Sequence, residues 1–452
     1  MDITRHFIDV GSRRVHYRRC GSGPPLLMVH QSPRSSAEYE PLMRKWGSHF
    51  TCIAPDTPGF GQSDPLHGEP EIGDFADALT ETLDALGLDR VAAYGFHSGG
   101  IIAVAAMRRR PERFAALAIG GYAIWTAEEM AIFGELYLPA FRPSGYGEHL
   151  TWLWNRILEQ SWFFPWFDVR NETRLSLAHA DPLRVDAVVR EMLDAGDAYR
   201  AGYGAVLRAP RDIPPADAVT PPVLITAYAG DPLQPHIDRL GPMPASWQAR
   251  KVATPEDHQK ESFDFLRQYA TGAVEMLPEA MDEGFVTIAA GGFAGAIHWR
   301  GKSNGDLLLH APGESLELVD AEDGIAVDLP GHGLSDPWSG DDWRALIAAI
   351  GATLGCRTVR YPRIMRGDPD QLFPDLSPDR FGSYLSRAWS IVRARILFDP
   401  WYEVSSRNAR AFEPADLAPE RLAVAHRALL QAHSARDYLS ALRTMEDAGG
   451  NS

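Results

Sequence analysis

Cysteine, net positive charge and long apolar runs are all scarce in this 452-residue chain, and each shortage excludes something. The three cysteines, Cys20, Cys52 and Cys356, are far apart in sequence and have no metal-ligand spacing. Neither a disulfide framework nor a zinc ribbon is therefore expected, and reduced thiols are. Forty-four basic side chains against 60 acidic ones leave a formal charge of −16, which opposes general attraction to nucleic acid or to an anionic membrane. No stretch approaches the ~18 consecutive apolar residues of a membrane span. The segment Met1 to Val10 has no apolar targeting run, so a cytoplasmic location is expected. What remains is an average globular balance, 45% hydrophobic and 23% charged, on a chain too long for one ordinary core. Two structural units are expected.

Short patterned segments at Phe7 to Val10 and Val15 to Tyr17 flank the turn-like Gly11-Ser12 and predict a β-hairpin. Continuous apolar runs at Leu26 to His30 and Phe50 to Ala54 have the character of buried parallel strands. Phe75, Leu79, Leu83 and Leu86 share one helical face ahead of Gly87, and Val91 to Tyr94 follows as a strand. A helix from Gly99 to Arg109 and further runs at Ala115 to Ile119, Val223 to Tyr228 and Val252 to Thr254 continue the alternation. This pattern predicts an α/β fold with a doubly wound, mostly parallel sheet over residues 1–275. The insertion at about 122–215 is rich in aromatics, among them Trp125, Trp152, Trp154 and Trp162. Ordinary helix packing is the plainer reading of these residues, and a helical lid over an apolar pocket at the strand ends is the functional one.

Beyond residue 282 the sequence echoes itself. Asp56-Thr57-Pro58-Gly59-Phe60-Gly61-Gln62-Ser63-Asp64-Pro65 returns as Asp328-Leu329-Pro330-Gly331-His332-Gly333-Leu334-Ser335-Asp336-Pro337. His16-Tyr17 returns as His298-Trp299, Leu27 to Pro33 as Leu307 to Gly313, Pro165 to Val169 as Pro400 to Val404, and Tyr203 to Arg208 as Tyr438 to Arg443. Residues 282–452 are thus expected to be a truncated, degenerate repeat of the first fold, with a second lid-like helical segment and a structural role, its lid packing on the first. Gly291-Gly292 aligns with the Gly11-Ser12 turn, so a hairpin is expected there in preference to a phosphate loop.

The chemistry is expected at Tyr94-Gly95-Phe96-His97-Ser98-Gly99-Gly100, which follows a strand and opens a helix. This segment resembles the nucleophile elbow of the α/β-hydrolase superfamily, with His97 where a serine, cysteine or aspartate usually stands. Gly95 and Gly99 are the small neighbours that such a turn needs, and a one-residue slip would instead make Ser98 the nucleophile. The resemblance implies an acid at Asp231 after the Val223 to Tyr228 strand and a histidine at His258, with Asp231 fixing the tautomer of His258. It implies an oxyanion hole from the backbone amides of Gln31 and Ser98, although Gln31 replaces the usual glycine. His30, Trp125, Trp152, Trp154 and Trp162 are candidate substrate contacts. The Asp56 to Ser63 block matches the superfamily's D-x-x-G-x-G-x-S pattern and is read as scaffold.

These residues imply hydrolysis of an ester, amide or C–C bond in a small apolar or aromatic molecule. His97 would act as a covalent nucleophile or as a base. The alternatives are a ligand-binding protein without turnover and a lyase using both histidines as acid and base. A metal held by His97, His258 and Asp231 finds no support in the spacing, and no cofactor is expected. The expected partner is a small molecule, with no nucleic acid and no membrane, and assembly into a homo-oligomer is left open.

Overall fold

The computed structural model describes residues 1–133, 136–210, 213–302, 305–322 and 324–449. They divide into two compact units, the first comprising Met1–Arg142 and Asn155–Ala280, the second Pro143–Trp154 and Met281–Ser452. Residues 450–452, where the expected repeat ends, lie outside the described residues. The first unit runs five residues past the expected boundary at 275 because its tail is fastened to the first hairpin. The Ala280 amide donates to the Phe7 carbonyl at 2.8 Å, and His6 Nδ1 lies 2.7 Å from Glu279. The expected lid also loses residues 143–154 to the second unit. There Trp154 meets Tyr384 edge-on at 5.8 Å, and the His149 ring lies 4.9 Å from that of Trp389.

The first unit is built on one eight-stranded sheet, ordered β1-β2-β4-β3-β5-β6-β7-β8. Its strands are β1 (Thr4–Val10), β2 (Arg13–Cys20), β3 (Pro25–Val29), β4 (Thr51–Pro55), β5 (Val91–Phe96), β6 (Phe114–Gly120), β7 (Val223–Tyr228) and β8 (Trp247–Val252). β1 and β2 form the predicted hairpin about Gly11-Ser12, β2 pairs antiparallel with β4, and every later pairing is parallel. Because side chains alternate along a strand, β3 supplies both faces of the sheet. Leu27 and Val29 pack with Phe75, Leu83 and Ile102 on one face, and Leu26 and Met28 with Met43, Trp46 and Leu266 on the other. The helix Ile72–Ala85 is started by a capping box between Glu71 and Asp74 and buries Phe75, Leu79 and Leu83, as its spacing predicts.

β8 departs from expectation. It lies at Trp247–Val252, ahead of the apolar Val252 to Thr254 segment, and carries Gln248, Arg250 and Lys251 because it is an edge strand with a partner on one side only. Thr254 then caps the helix Pro255–Tyr269 by accepting from the Asp257 amide, with Pro255 in the first turn.

The second unit carries a five-stranded sheet ordered β13-β11-β12-β10-β9. Its strands are β9 (Glu283–Ala290), β10 (Phe293–Gly301), β11 (Asp306–Leu309), β12 (Gly324–Val327) and β13 (Val359–Arg360). This is the order of β5-β3-β4-β2-β1, strand for strand. Gly291 and Gly292 form the turn between β9 and β10. Among the described residues, no helix of either unit is long and apolar enough to cross a membrane.

A carboxylate organises the strand ends in each unit. Asp56 accepts from the Ser36 amide and hydroxyl at 2.8 and 2.6 Å and from the Gln62 amide at 3.0 Å, and it pairs with His16 Nδ1 at 2.8 Å. Burial alone would raise its pKa, but His16, Arg18 and His30 outweigh that and hold the carboxyl below the ordinary range. In the second unit Asp328 accepts likewise from the Leu316 and Leu334 amides and pairs with His298 at 2.8 Å. The Asp56→Ala variant should lose about 3–5 kcal/mol, because His16 and two amides would be left buried without their acceptor. Urea unfolding checks this, and a loss under about 1 kcal/mol would remove Asp56 as the organising group.

Candidate active site

His97 stands between β5 and the helix Ser98–Arg109 with φ 47° and ψ −114°, and is the one non-glycine residue of positive φ among those described. A left-handed backbone at a residue with a side chain costs roughly 1–3 kcal/mol, so close packing must enforce it. It does. A Cβ on Gly99 would lie 2.0 Å from the Val29 carbonyl oxygen, and one on Gly95 2.7 Å from the Gly100 nitrogen. The tip of the turn is therefore His97. Ser98 is the first helical residue, and its hydroxyl oxygen accepts from the Ser32 amide at 2.6 Å.

Asp231, in the loop after β7, reaches the tip. His97 Nε2 lies 3.1 Å from both of its carboxylate oxygens, and the Leu233 amide donates to Asp231 Oδ1 at 2.8 Å. Burial pushes the Asp231 carboxyl up, but His97 and the Leu233 amide more than compensate and keep it below the usual range. With a carboxylate as acceptor, Nε2 carries the proton and Nδ1 is left with a lone pair. Nδ1 has no hydrogen-bond partner among the described residues. Phe96 stacks on the imidazole at 4.1 Å. Gly121 leaves room for the pair, since a Cβ there would lie 2.5 Å from His97 Cδ2 and 3.0 Å from Asp231 Oδ2.

Three expectations are corrected here. His258 does not pair with Asp231. Carried inward on the first turn of the helix Pro255–Tyr269, it is buried between the Tyr94 hydroxyl, 2.8 Å from Nε2, and the Thr226 hydroxyl at Nδ1, 2.5 Å away. Both ring nitrogens are spent there, so the three residues do not form one His-Asp-His constellation. The Gln31 amide is not an oxyanion donor, because it donates to Glu38 Oε1 at 2.7 Å while the Gln31 side chain donates to Oε2 at 3.0 Å. A carboxylate there would also repel a developing oxyanion. Ser98 retains an amide in the first helical turn, where no intrahelical acceptor exists. His30 is not a substrate contact: it is buried beside Phe60, accepts from the Thr57 amide through Nε2 at 2.9 Å, and its Nδ1–H donates to the Gln31 carbonyl at 3.0 Å.

A cavity of about 180 Å³ opens at His97 within the first unit. Gln31, Ser32 and Ser98 form its polar end, and Trp125, Tyr137, Phe164 and Tyr203 its aromatic wall. Of the four predicted tryptophans only Trp125 lines it. Trp152 and Trp154 belong to the second unit, and Trp162 donates its indole N–H to the His179 carbonyl at 2.7 Å. Behind Trp125 stands His236, which accepts from the Ile124 amide at 2.8 Å and meets the Trp125 ring edge-on. Sequence reasoning missed Glu38, Gly121 and Thr226. Nothing local marks the first two, but the helix carrying His258 was announced by the Thr254-Pro255-Glu256-Asp257 start signal.

A doubly wound sheet with a strained strand-to-helix turn defines an α/β-hydrolase architecture. Residues 24–137 match the family model for the alpha/beta hydrolase fold. Haloalkane dehalogenase 2 of Mycobacterium bovis is 34% identical over 127 residues, 28% of this chain and 44% of that protein. The soluble epoxide hydrolase of Corynebacterium sp. is 35% identical over 103 residues, 23% of this chain and 36% of that protein. The chain thus spans less than half the length of the curated relatives it matches. Among solved structures, a hydrolase from Pseudomonas aeruginosa matches 58% of this chain and 98% of its own at 19% identity, with a TM-score of 0.45. The N-terminal unit thus has the α/β-hydrolase fold.

Burial holds the His258 imidazole down at about 4, the nearby His97 adding to this and Asp231 opposing it. In the unfolded chain a histidine titrates near ~6.5. As the pH falls the unfolded state therefore binds this proton first, so stability is intact above pH ~6.5 and declines between there and about 4, by about 3 kcal/mol at most. Urea unfolding of the native chain should lose stability over this window more steeply than that of His258→Leu, and equal slopes would contradict the assignment.

Proposed function

We propose that the first unit hydrolyses a small apolar or aromatic molecule, with His97 as the base that activates water and Asp231 as the residue that orients it. The supporting observation is the two-point contact of Asp231 with His97 Nε2, which leaves the Nδ1 lone pair on a residue lining the cavity. In this reading a water gives its proton to Nδ1 and its oxygen bonds to the electrophilic carbon. The leaving group departs with the bonding electrons, and Asp231 stabilises the imidazolium. The aromatic wall supplies affinity, and the volume of about 180 Å³ favours a compact substrate.

A ligand-binding protein without turnover is the second reading, and the engagement of the Gln31 amide by Glu38 favours it. It removes one of the two donors that acyl transfer uses in this superfamily. The same observation weighs against esters and amides as substrates. The names of the relatives, a haloalkane dehalogenase and an epoxide hydrolase, put haloalkanes and epoxides beside aryl esters as substrates to test.

We also propose that the second unit is an internal copy of the first with a structural role. Its strand order and the parallel settings of Asp56 and Asp328 support this.

With the full chain and a panel of aryl esters, haloalkanes and epoxides, His97→Ala should lower kcat/KM by about 10²–10⁴ and Asp231→Asn by a comparable factor. Ser98→Ala should change it less than about tenfold. Activity that survives His97→Ala but not Ser98→Ala would move the chemistry to Ser98. Apolar ligands bound without turnover of any panel member would establish the second reading.

A further inference from the structure

Two further cavities lie away from His97, in the second unit. One of about 570 Å³ and another of about 220 Å³ share Glu314, Arg395 and Arg410 in their linings. Leu318, Val392, Ile396, Phe412 and Val424 give the larger one an apolar wall. Arg395 projects from the helix Ser383–Leu397, and its guanidinium lies over the Phe373 ring at 4.7 Å. One terminal nitrogen donates to the Leu372 carbonyl at 3.0 Å, whereas Nε is shut off from solvent and has no hydrogen-bond partner among the described residues. Gly313 makes space for this side chain, since a Cβ there would stand 2.8 Å from Nη1.

The neighbouring charges decide what such a group would bind. Arg421 is paired with Asp416 at 2.9 Å and Arg363 with Asp399 at 3.3 Å, while Glu317 shares Arg300 with Glu283, at 2.9 and 2.8 Å. Arg395 and Arg410, by contrast, form no ion pair among the described residues, and both line the cavities beside Glu314. Arg410 adds to this centre by donating to the Arg395 carbonyl at 2.8 Å. Burial draws the Arg395 pKa down to about 10, with Glu314 opposing, so the guanidinium is still charged at neutral pH. A carboxylate is the partner that a guanidinium fork fits best.

We propose that this cavity is a second ligand site, built for a monocarboxylate with an apolar body, whose carboxylate is held by Arg395 and Arg410 and whose chain lies against Val392, Ile396 and Phe412. It is separate from the His97 chemistry and needs no covalent step.

Calorimetric titration of the full chain with octanoate at low salt tests it. Octanoate should bind, Arg395→Met should weaken binding at least tenfold, and His97→Ala should leave it unchanged. Octanamide, of similar shape without the charge, should bind at least tenfold more weakly, and inorganic phosphate likewise. Phe412 is 44% exposed, so Phe412→Asp spares the fold and should also cut octanoate affinity. It guards against misreading an Arg395 variant that fails to fold. Equal binding of octanamide or phosphate, equal binding by Arg395→Met, absence of octanoate binding at millimolar concentration, or loss on His97→Ala would each overturn the proposal.

Discussion

The turn at His97 holds a side chain in a backbone conformation that it does not prefer, and the first unit is packed so as to leave no alternative. Gly95 and Gly99 allow β5 and the following helix to approach β3 so closely that any side chain would strike backbone. The strain is offset by the burial of a whole parallel sheet, which is far larger than the roughly 1–3 kcal/mol involved. The return is positional: the imidazole is presented at the sheet's carboxyl edge, where the loop after β7 brings Asp231 to it.

Electrostatics then separate the two histidines that the sequence offers as partners. His97 meets a carboxylate and a cavity. His258 meets two hydroxyls within the core and is held neutral. A buried imidazole with both nitrogens bonded is a structural cross-link from β5 to β7 and to the helix Pro255–Tyr269, not a proton carrier. Glu38 has the same kind of effect on Gln31, turning an amide that could face a substrate into one that fastens the loop after β3.

Much of the first unit was legible in the sequence. The apolar runs of β3 to β7 are buried on both faces and therefore show as unbroken runs, and Phe75, Leu79 and Leu83 keep a helical period because one face of their helix is buried. β8 escaped because an edge strand needs no apolar run. The tip residue was also legible, since the demand for small neighbours is local and Gly95 and Gly99 sit two positions either side of His97. The aromatic lid was not, because a tryptophan looks the same in sequence whether it faces a cavity, as Trp125 does, or a neighbouring helix, as Trp154 does.

By itself the sequence determined the elbow, the parallel sheet and the recurrence of the Asp56 block at Asp328, because each rests on spacing within a few residues of chain. Only the tertiary structure decided which imidazole Asp231 would hold, that Glu38 would take the Gln31 amide, and that Arg395 would line a cavity with its Nε lacking an acceptor. Those outcomes depend on the direction and depth at which distant segments meet, and hydrogen-bond reach is so short that a difference of one helical turn reassigns the partner.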